Sequence, residues 1–389
     1  MLDKLDGPFF DYILDHPLFH YNCLNADLKN LNGIFLDEAQ EAYVKRYYPR
    51  VKKTLTMPLG ATEAVTGGKK TETDTVLFMG TYDRPDKIYE MVDLSPEPLR
   101  SYMKELIEMR IEDPILPMEE GFGQLLKTHG EDLPDDKFSL FMNAMYSVDA
   151  YIRDYFRKAA VDELVRAKIP VRLVGEGWEK YESCNEAYVT REKAVVFGLS
   201  FEKIAHADVL LNVSPFFNHG AHDRIFAGMA NHCTVLTDRN PYLERILKEG
   251  EQVCMYSLKD IRTLSDYAAE LLSNRALCRE IQNNAYTEFK HKSILGEHTF
   301  IYDAEDVYCV WKNSCENSRV LIELDFFVPD KNGRYSRYEE SFYENSYPLE
   351  LIESALKETG FEILLIRDGE KDSSVSETTQ RAVFVARRI

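Results

Sequence analysis

The residues best suited to do chemistry fall in one stretch, 212–224, which reads NVSPFFNHGAHDR. It carries Asn212, Ser214, Gly220, His222 and Arg224 between an apolar run and the start of a helical pattern. A helix N-terminus favours an anion through its free N–H groups, and an arginine in the first turn adds a two-pronged donor. Together they suit a diphosphate. Two plainer readings stand beside this one. Arg224 would cap or pair on a helix surface, and His222 would be an ordinary first-turn residue.

Three further loops share the pattern of an apolar run followed by glycine: Gly80-Thr81-Tyr82, Gly175-Glu176-Gly177-Trp178 and Gly198-Leu199-Ser200. Ligands of open α/β sheets bind outside the carboxyl ends of the strands. Glycine there lets the backbone approach a ligand and leaves N–H groups free for phosphate oxygens. Trp178 reads as a packing residue before a platform for a base.

These loops need a parallel sheet beneath them. Apolar runs at 75–79, 171–174, 194–197, 209–212 and 234–237 predict its strands, with helices at 201–205, 222–230 and 242–248. Between the first two runs, residues 84–167 have helical periodicity. Tyr102, Leu106, Met109 and Ile111 mark one face; Leu140, Met142, Met145 and Val148 mark another. Residues 257–292 predict one or two closing amphipathic helices. Upstream, strands at 10–14, 32–36 and 53–57 and a helix at 38–48 form a short βα series, and the Gly/Thr-rich residues 61–74 predict a linker. Downstream come a strand at 319–328, an exposed polar turn at 335–340, a helix at 348–359 and strands at 362–367 and 382–386. The Gly360 stop predicts an αββ unit ending in a hairpin.

At 389 residues, two or three lobes are expected. A net charge of -19 argues against nucleic acid or an anionic membrane surface as the main partner. Seven scattered cysteines without CxxC spacing suit reduced thiols better than disulfides or a zinc site. The N-terminal stretch has acids in its apolar run and does not read as a secretory signal, and no run reaches membrane-span length. A soluble, cytoplasmic protein is expected.

The runs VLFMGTYDRP, VRLVGEGW, VVFGLSFEKIAHADVLLNVSP and GAHDRIFAGMANHCTVLTD resemble bacterial glycosyltransferases of the spore-maturation type, which have the GT-B fold. The resemblance covers about residues 8–308, with His298-Thr299-Phe300 matching the closing aromatic motif. It implies two Rossmann-type lobes: a partial acceptor-side lobe at 1–62 and a nucleotide-sugar lobe at 75–310, with no metal and no separate cofactor. By position, Arg224 would hold the donor diphosphate with Gly220 and His222 beside it. Glu176 and the loop at Ser200 would flank the nucleoside. Asp15-His16-Pro17 would face the interlobe cleft, His16 acting as general base with Asp15 raising its basicity. The alternative has Asp15 capping a helix start and His16 at the surface. Many relatives place an acid three residues after the arginine; here that position is Ala227.

Residues 322–329 (IELDFFVP), 333–366 and 380–388 (QRAVFVARR) resemble the end of a class I S-adenosylmethionine-dependent methyltransferase. The segment 318–389 is therefore expected to be a small α/β remnant, with no cofactor loop upstream of it. The leading expectation is transfer of a sugar from a nucleotide-diphosphate donor to a hydroxyl acceptor, glycan or protein. The rival is a non-catalytic nucleotide-sugar-binding or assembly subunit, the remnant of a glycosyltransferase–methyltransferase fusion. A methyltransferase component is a third. Incomplete sheets leave open edges and apolar faces, so association with a partner or another copy is expected.

Overall fold

The computed structural model describes residues 9–64, 73–294, 299–304, 307–316, 319–329, 334–345, 349–368, 375 and 382–388. The expected linker falls partly outside these, as do His298 and most of the loop before the last strand. The chain divides into two compact units, Met1–Phe289 and Lys290–Ile389.

The first unit opens with β1 (Phe9–Ile13), the single-turn α1 (Tyr21–Leu24), β2 (Leu31–Phe35), α2 (Glu38–Tyr47) and β3 (Thr54–Thr56). The three strands form a parallel sheet in the order β1-β2-β3. Alternation along a strand sends Ile13 and Phe35 into the core and leaves Phe10, Leu55 and Met57 exposed on the opposite face.

A second sheet begins with β4 (Val76–Met79). It is followed by the helices α3 (Pro85–Asp93), α4 (Leu99–Glu112), α5 (Met118–Thr128), α6 (Asp135–Ala144) and α7 (Tyr146–Arg166). Strands and helices then alternate through β5 (Val171–Val174), β6 (Val189–Glu192), α8 (Phe197–Ala205), β7 (Val209–Asn212), α9 (Asp223–Ala230), β8 (Thr234–Asp238), α10 (Pro241–Ile246) and β9 (Cys254–Tyr256). The helices α11 (Arg262–Ser273) and α12 (Arg275–Ile294) follow, and the unit boundary falls within α12. The six strands are parallel in the order β6-β5-β4-β7-β8-β9, so the winding reverses between β4 and β7. That is the doubly wound arrangement, which opens a crevice at the reversal. Val76, Phe78 and Leu211 face a core shared with the helical insertion and the first sheet, while Leu77, Met79 and Leu210 face the other way.

Three sequence expectations need correction. Residues 194–197 are not a strand: the sheet position belongs to β6, and Val196 is the N-cap of α8. The charged run VTRE serves as an edge strand because it needs only one neighbour, β5. Leu140 points outward at 43% exposure, and Phe138 takes its place with Met142 on the buried side of α6. Residues 335–340 are strand, not turn. Thr299-Phe300 opens a strand of the second unit.

The second unit holds the antiparallel strands β10 (Thr299–Ala304), β11 (Val307–Glu316), β12 (Arg319–Pro329) and β13 (Tyr335–Asn345), hydrogen-bonded in chain order. After them, α13 (Leu349–Glu358) leads into β14 (Phe361–Asp368), which pairs antiparallel with β15 (Ala382–Arg388). This is the αββ hairpin expected from the Gly360 stop, and Gly360 has a left-handed φ of 83°.

Candidate functional site

The site is built where β7 ends and α9 begins. β7 is buried throughout, and its last residue, Asn212, organises the loop that leaves it. Its amide Nδ2 donates to Ser214 Oγ (2.8 Å) and Thr237 Oγ1 (2.9 Å), while its Oδ1 accepts from Arg224 Nη1 (2.5 Å). Ser214 in turn donates from N and Oγ to Asp238 Oδ1 at 2.9 and 3.2 Å. The connecting loop returns to α9 with His222 as its N-cap and Arg224 in its first turn.

Arg224 Nη2 donates to His222 Nε2 at 2.8 Å. The His222 Nδ1 faces the Asp223 carboxylate and lies 3.2 Å from the Arg224 backbone nitrogen. Burial and then the Arg224 charge push the imidazole down to about 4, so it is neutral near pH 7. Burial also pushes Arg224 down to about 10, which leaves it charged. Two of its five N–H donors are accounted for by Asn212 and His222, and the guanidinium lies 5.7 Å from the Phe78 ring centre. Fixed by two neutral partners, it is ready for an anion.

Two residues that sequence reasoning missed join it from α7. Arg157 Nη1 donates to the Thr81 carbonyl at 2.7 Å. Arg153 Nη2 donates to Asp149 Oδ2 at 2.8 Å, and its guanidinium lies 4.6 Å from the Phe216 ring centre. Their signal was a pair of arginines four apart on a helix with an apolar face. Nothing local showed that this face meets the ends of β4 and β7.

Asp238, at the end of β8, was missed as well. Burial holds its carboxyl up at about 6, against the bonds from Ser214 and the Arg224 charge, which lower it. A folded-state value above the unfolded one makes the native state bind the proton more tightly. Its contribution is present below about pH 4 and is lost as pH rises through 6. Asp238→Asn is therefore expected to gain stability relative to the native protein between pH 4 and 7, by up to about 3 kcal/mol. Paired melting curves across that range check this; a constant difference refutes it. Asp238 also lines a cavity of about 200 Å³ with Phe217, Asn240 and Leu258, beyond β8 and β9.

The glycine loops behave differently from the sequence expectation. The Gly80 N–H donates to the Val174 carbonyl, Gly175 N–H to Glu192 and Tyr82 N–H to Glu176, so these donors bind the ends of β5 and β6 and the loop after β5 and are not left for phosphate. Gly177 sits at φ 87°, and a side chain there would collide with the Tyr82 carbonyl. Trp178 is fully buried, stacked on Tyr82 at 4.6 Å, and donates from Nε1 to the Gly80 carbonyl. Thr81 and Gly80 nonetheless border the arginines, Thr81 through Arg157 and Gly80 with its Cβ direction 3.7 Å from Arg224 Nη2. Glu176 is exposed at the end of β5. Ser200 lies in the first turn of α8, its Oγ donating to the Phe197 carbonyl. Beside it, Val196, Phe197 and Leu199 are exposed.

Gly220 packs against the first lobe, where a side chain would meet the Leu36 carbonyl. Asp37 completes that seam. Its Oδ1 caps α2 by accepting from Ala39 and Gln40 N–H, and its Oδ2 accepts from His219 N–H at 2.7 Å.

Asp15 and His16 do not pair. His16 Nδ1 accepts from Leu18 N–H at 3.1 Å, so Nε2 holds the proton and faces Glu119 Oε2 at 3.3 Å. Both nitrogens of this buried ring are engaged within the protein. Asp15, with its side chain 58% exposed, lies 3.8 Å from Arg153 Nη2. Among the described residues, no group of His, Cys, Asp and Glu is arranged to hold a metal ion, and no helix is long and apolar enough to cross a membrane.

Residues 153–307, which hold Arg153, Arg157 and Arg224, match the family model described as glycosyl transferase-like. The chain is also similar to two proteins that carry provisional methyltransferase names. One, from Geobacillus sp. strain WCH70, is 29% identical over 27% of this chain and 43% of its own length. The other, YqeM of Bacillus subtilis strain 168, is 26% identical over 35% and 57%. The chain spans about half the length of these curated relatives. Among solved structures it is similar to sucrose-phosphate synthase of Thermosynechococcus elongatus, with 13% identity, 74% of this chain and 64% of that one covered, and a TM-score of 0.40.

Proposed function

We propose that the protein transfers a sugar from a nucleotide-diphosphate donor to a hydroxyl acceptor in a glycan or glycoprotein. The observation that carries this reading is Arg224, charged, buried and fixed by Asn212 and His222 at the reversal of a doubly wound sheet. The diphosphate lies against Arg224 and the N-terminus of α9. The nucleoside lies toward Glu176 and Ser200, where exposed Phe197 and Leu199 offer apolar area for a base. The sugar occupies the cavity beside Asp238.

In the transfer step, the acceptor oxygen bonds to the anomeric carbon as the bond from that carbon to the phosphate oxygen breaks. The diphosphate leaves with its charge held by Arg224, and the hydroxyl proton passes to Asp15, which replaces His16 as base. The second unit and the open face of the first sheet, with Phe10, Leu55 and Met57, are where a partner or another copy associates.

The test is ligand-dependent stability followed by turnover. A nucleoside diphosphate at 100 times its dissociation constant is expected to stabilise the protein by about 2.7 kcal/mol, read as a rise in melting temperature. Release of free sugar or its transfer from a panel of nucleotide sugars then reports catalysis. Absence of any shift at millimolar diphosphate sinks the reading. Stabilisation without turnover selects the non-catalytic subunit, which Ala227 in place of an acid favours.

A further inference from the structure

On α7, Asp149, Arg153 and Arg157 stand at successive four-residue steps on one side, with Arg157 reaching the Thr81 carbonyl after β4 and Arg153 the Phe216 ring after β7. Arg157 is 4% exposed, yet its Nε is buried without a hydrogen-bond partner. Its nearest carboxylate, Asp154, is 3.7 Å away, and Asp154 Oδ1 likewise has no hydrogen-bond partner. Arg153 Nε is buried and unpartnered too. Burial and then the Arg224 charge push Arg157 down to about 9, and the Arg153 charge acts on both.

Like charges gathered in a buried site oppose one another unless an anion sits among them. One arginine with a helix N-terminus suffices for a single phosphate. Three guanidinium groups, two with a buried donor unmatched, fit an anion with more oxygens and more charge.

We propose that Arg157, with Arg153 beside it, forms the second half of a diphosphate clamp, making the α7 insertion a working part of the donor site and giving the protein its preference for diphosphates over monophosphates. This rests on the donor reading above and goes beyond it in assigning a phosphate to α7.

Calorimetric titration of the full chain with inorganic pyrophosphate, and with uridine and guanosine di- and monophosphates, tests it. Arg157→Gln is expected to weaken pyrophosphate and diphosphate binding by about tenfold or more and to leave monophosphate binding within about twofold; Arg157→Lys regains part of the loss. Arg153→Gln, at a partly exposed position and with an amide that can still donate to Asp149 Oδ2, repeats the pattern. Equal weakening of mono- and diphosphates, or no change in pyrophosphate binding, overturns the clamp. Unchanged nucleoside diphosphate binding in both variants leaves the donor reading standing without it. Arginine-dependent pyrophosphate binding with no nucleotide binding keeps the clamp and removes the donor reading. No binding of any probe to the native chain removes both.

Discussion

Replacing Arg224 with alanine is expected to weaken nucleoside diphosphate binding by about 100-fold, the loss of roughly 2–3 kcal/mol of charge-assisted hydrogen bonding. At a ligand concentration 100 times the native dissociation constant, stabilisation falls from about 2.7 to about 0.4 kcal/mol, so most of the melting shift disappears. The native contacts make a second variant informative. Arg224→Lys keeps the charge but cannot donate at once to Asn212 Oδ1, His222 Nε2 and a ligand. It should retain only a minor part of the affinity. Removing the guanidinium also leaves the buried Asn212 oxygen without its donor, so the unliganded variant melts lower. Each variant's shift is therefore measured from its own baseline. A full shift in Arg224→Ala places the anion elsewhere.

The second large effect concerns Gly177. Alanine there must hold a left-handed backbone and drive its methyl into the Tyr82 carbonyl, which is fixed in the stack of Tyr82 on Trp178. The expected loss is about 3 kcal/mol or more of unfolding free energy, read by denaturant titration. Gly198→Ala is the contrast: in the first turn of α8 its Cβ meets nothing within 4 Å. It should be neutral or stabilising by about 0.5–1 kcal/mol. If Gly177→Ala were as stable as the native protein but bound ligand poorly, the loop after β5 would be a phosphate cradle after all.

The glycine result shows why part of the site could not be read from sequence. Glycine after a strand serves a ligand or a neighbouring loop equally well, and only the partners of the Gly80, Gly175 and Tyr82 N–H groups separate the two uses. The buried strands β4, β5, β7 and β8 were legible because a strand covered on both faces is mostly apolar. β6 and β13 were not, since an edge strand is specified mainly by its neighbour. β13 is exposed along its described side chains and takes its register from β12. Arg224 was legible because its partners, Asn212 and His222, are close in sequence. Arg153 and Arg157 lie far upstream and reach the site only through the path of α7. His16 misled because adjacency to Asp15 suggested a pair, whereas its ring turns to Leu18 N–H and Glu119.

The shared carboxylate of Asp37 has a kinetic meaning. One oxygen ends a helix of the first lobe and the other holds a loop of the second, so the lobes cannot part without loosening the start of α2. Opening and local fraying become one event, with the amides of Ala39, Gln40 and His219 exposed to solvent together. A ligand bridging the two lobes would slow all three exchanges, although it need touch none of them.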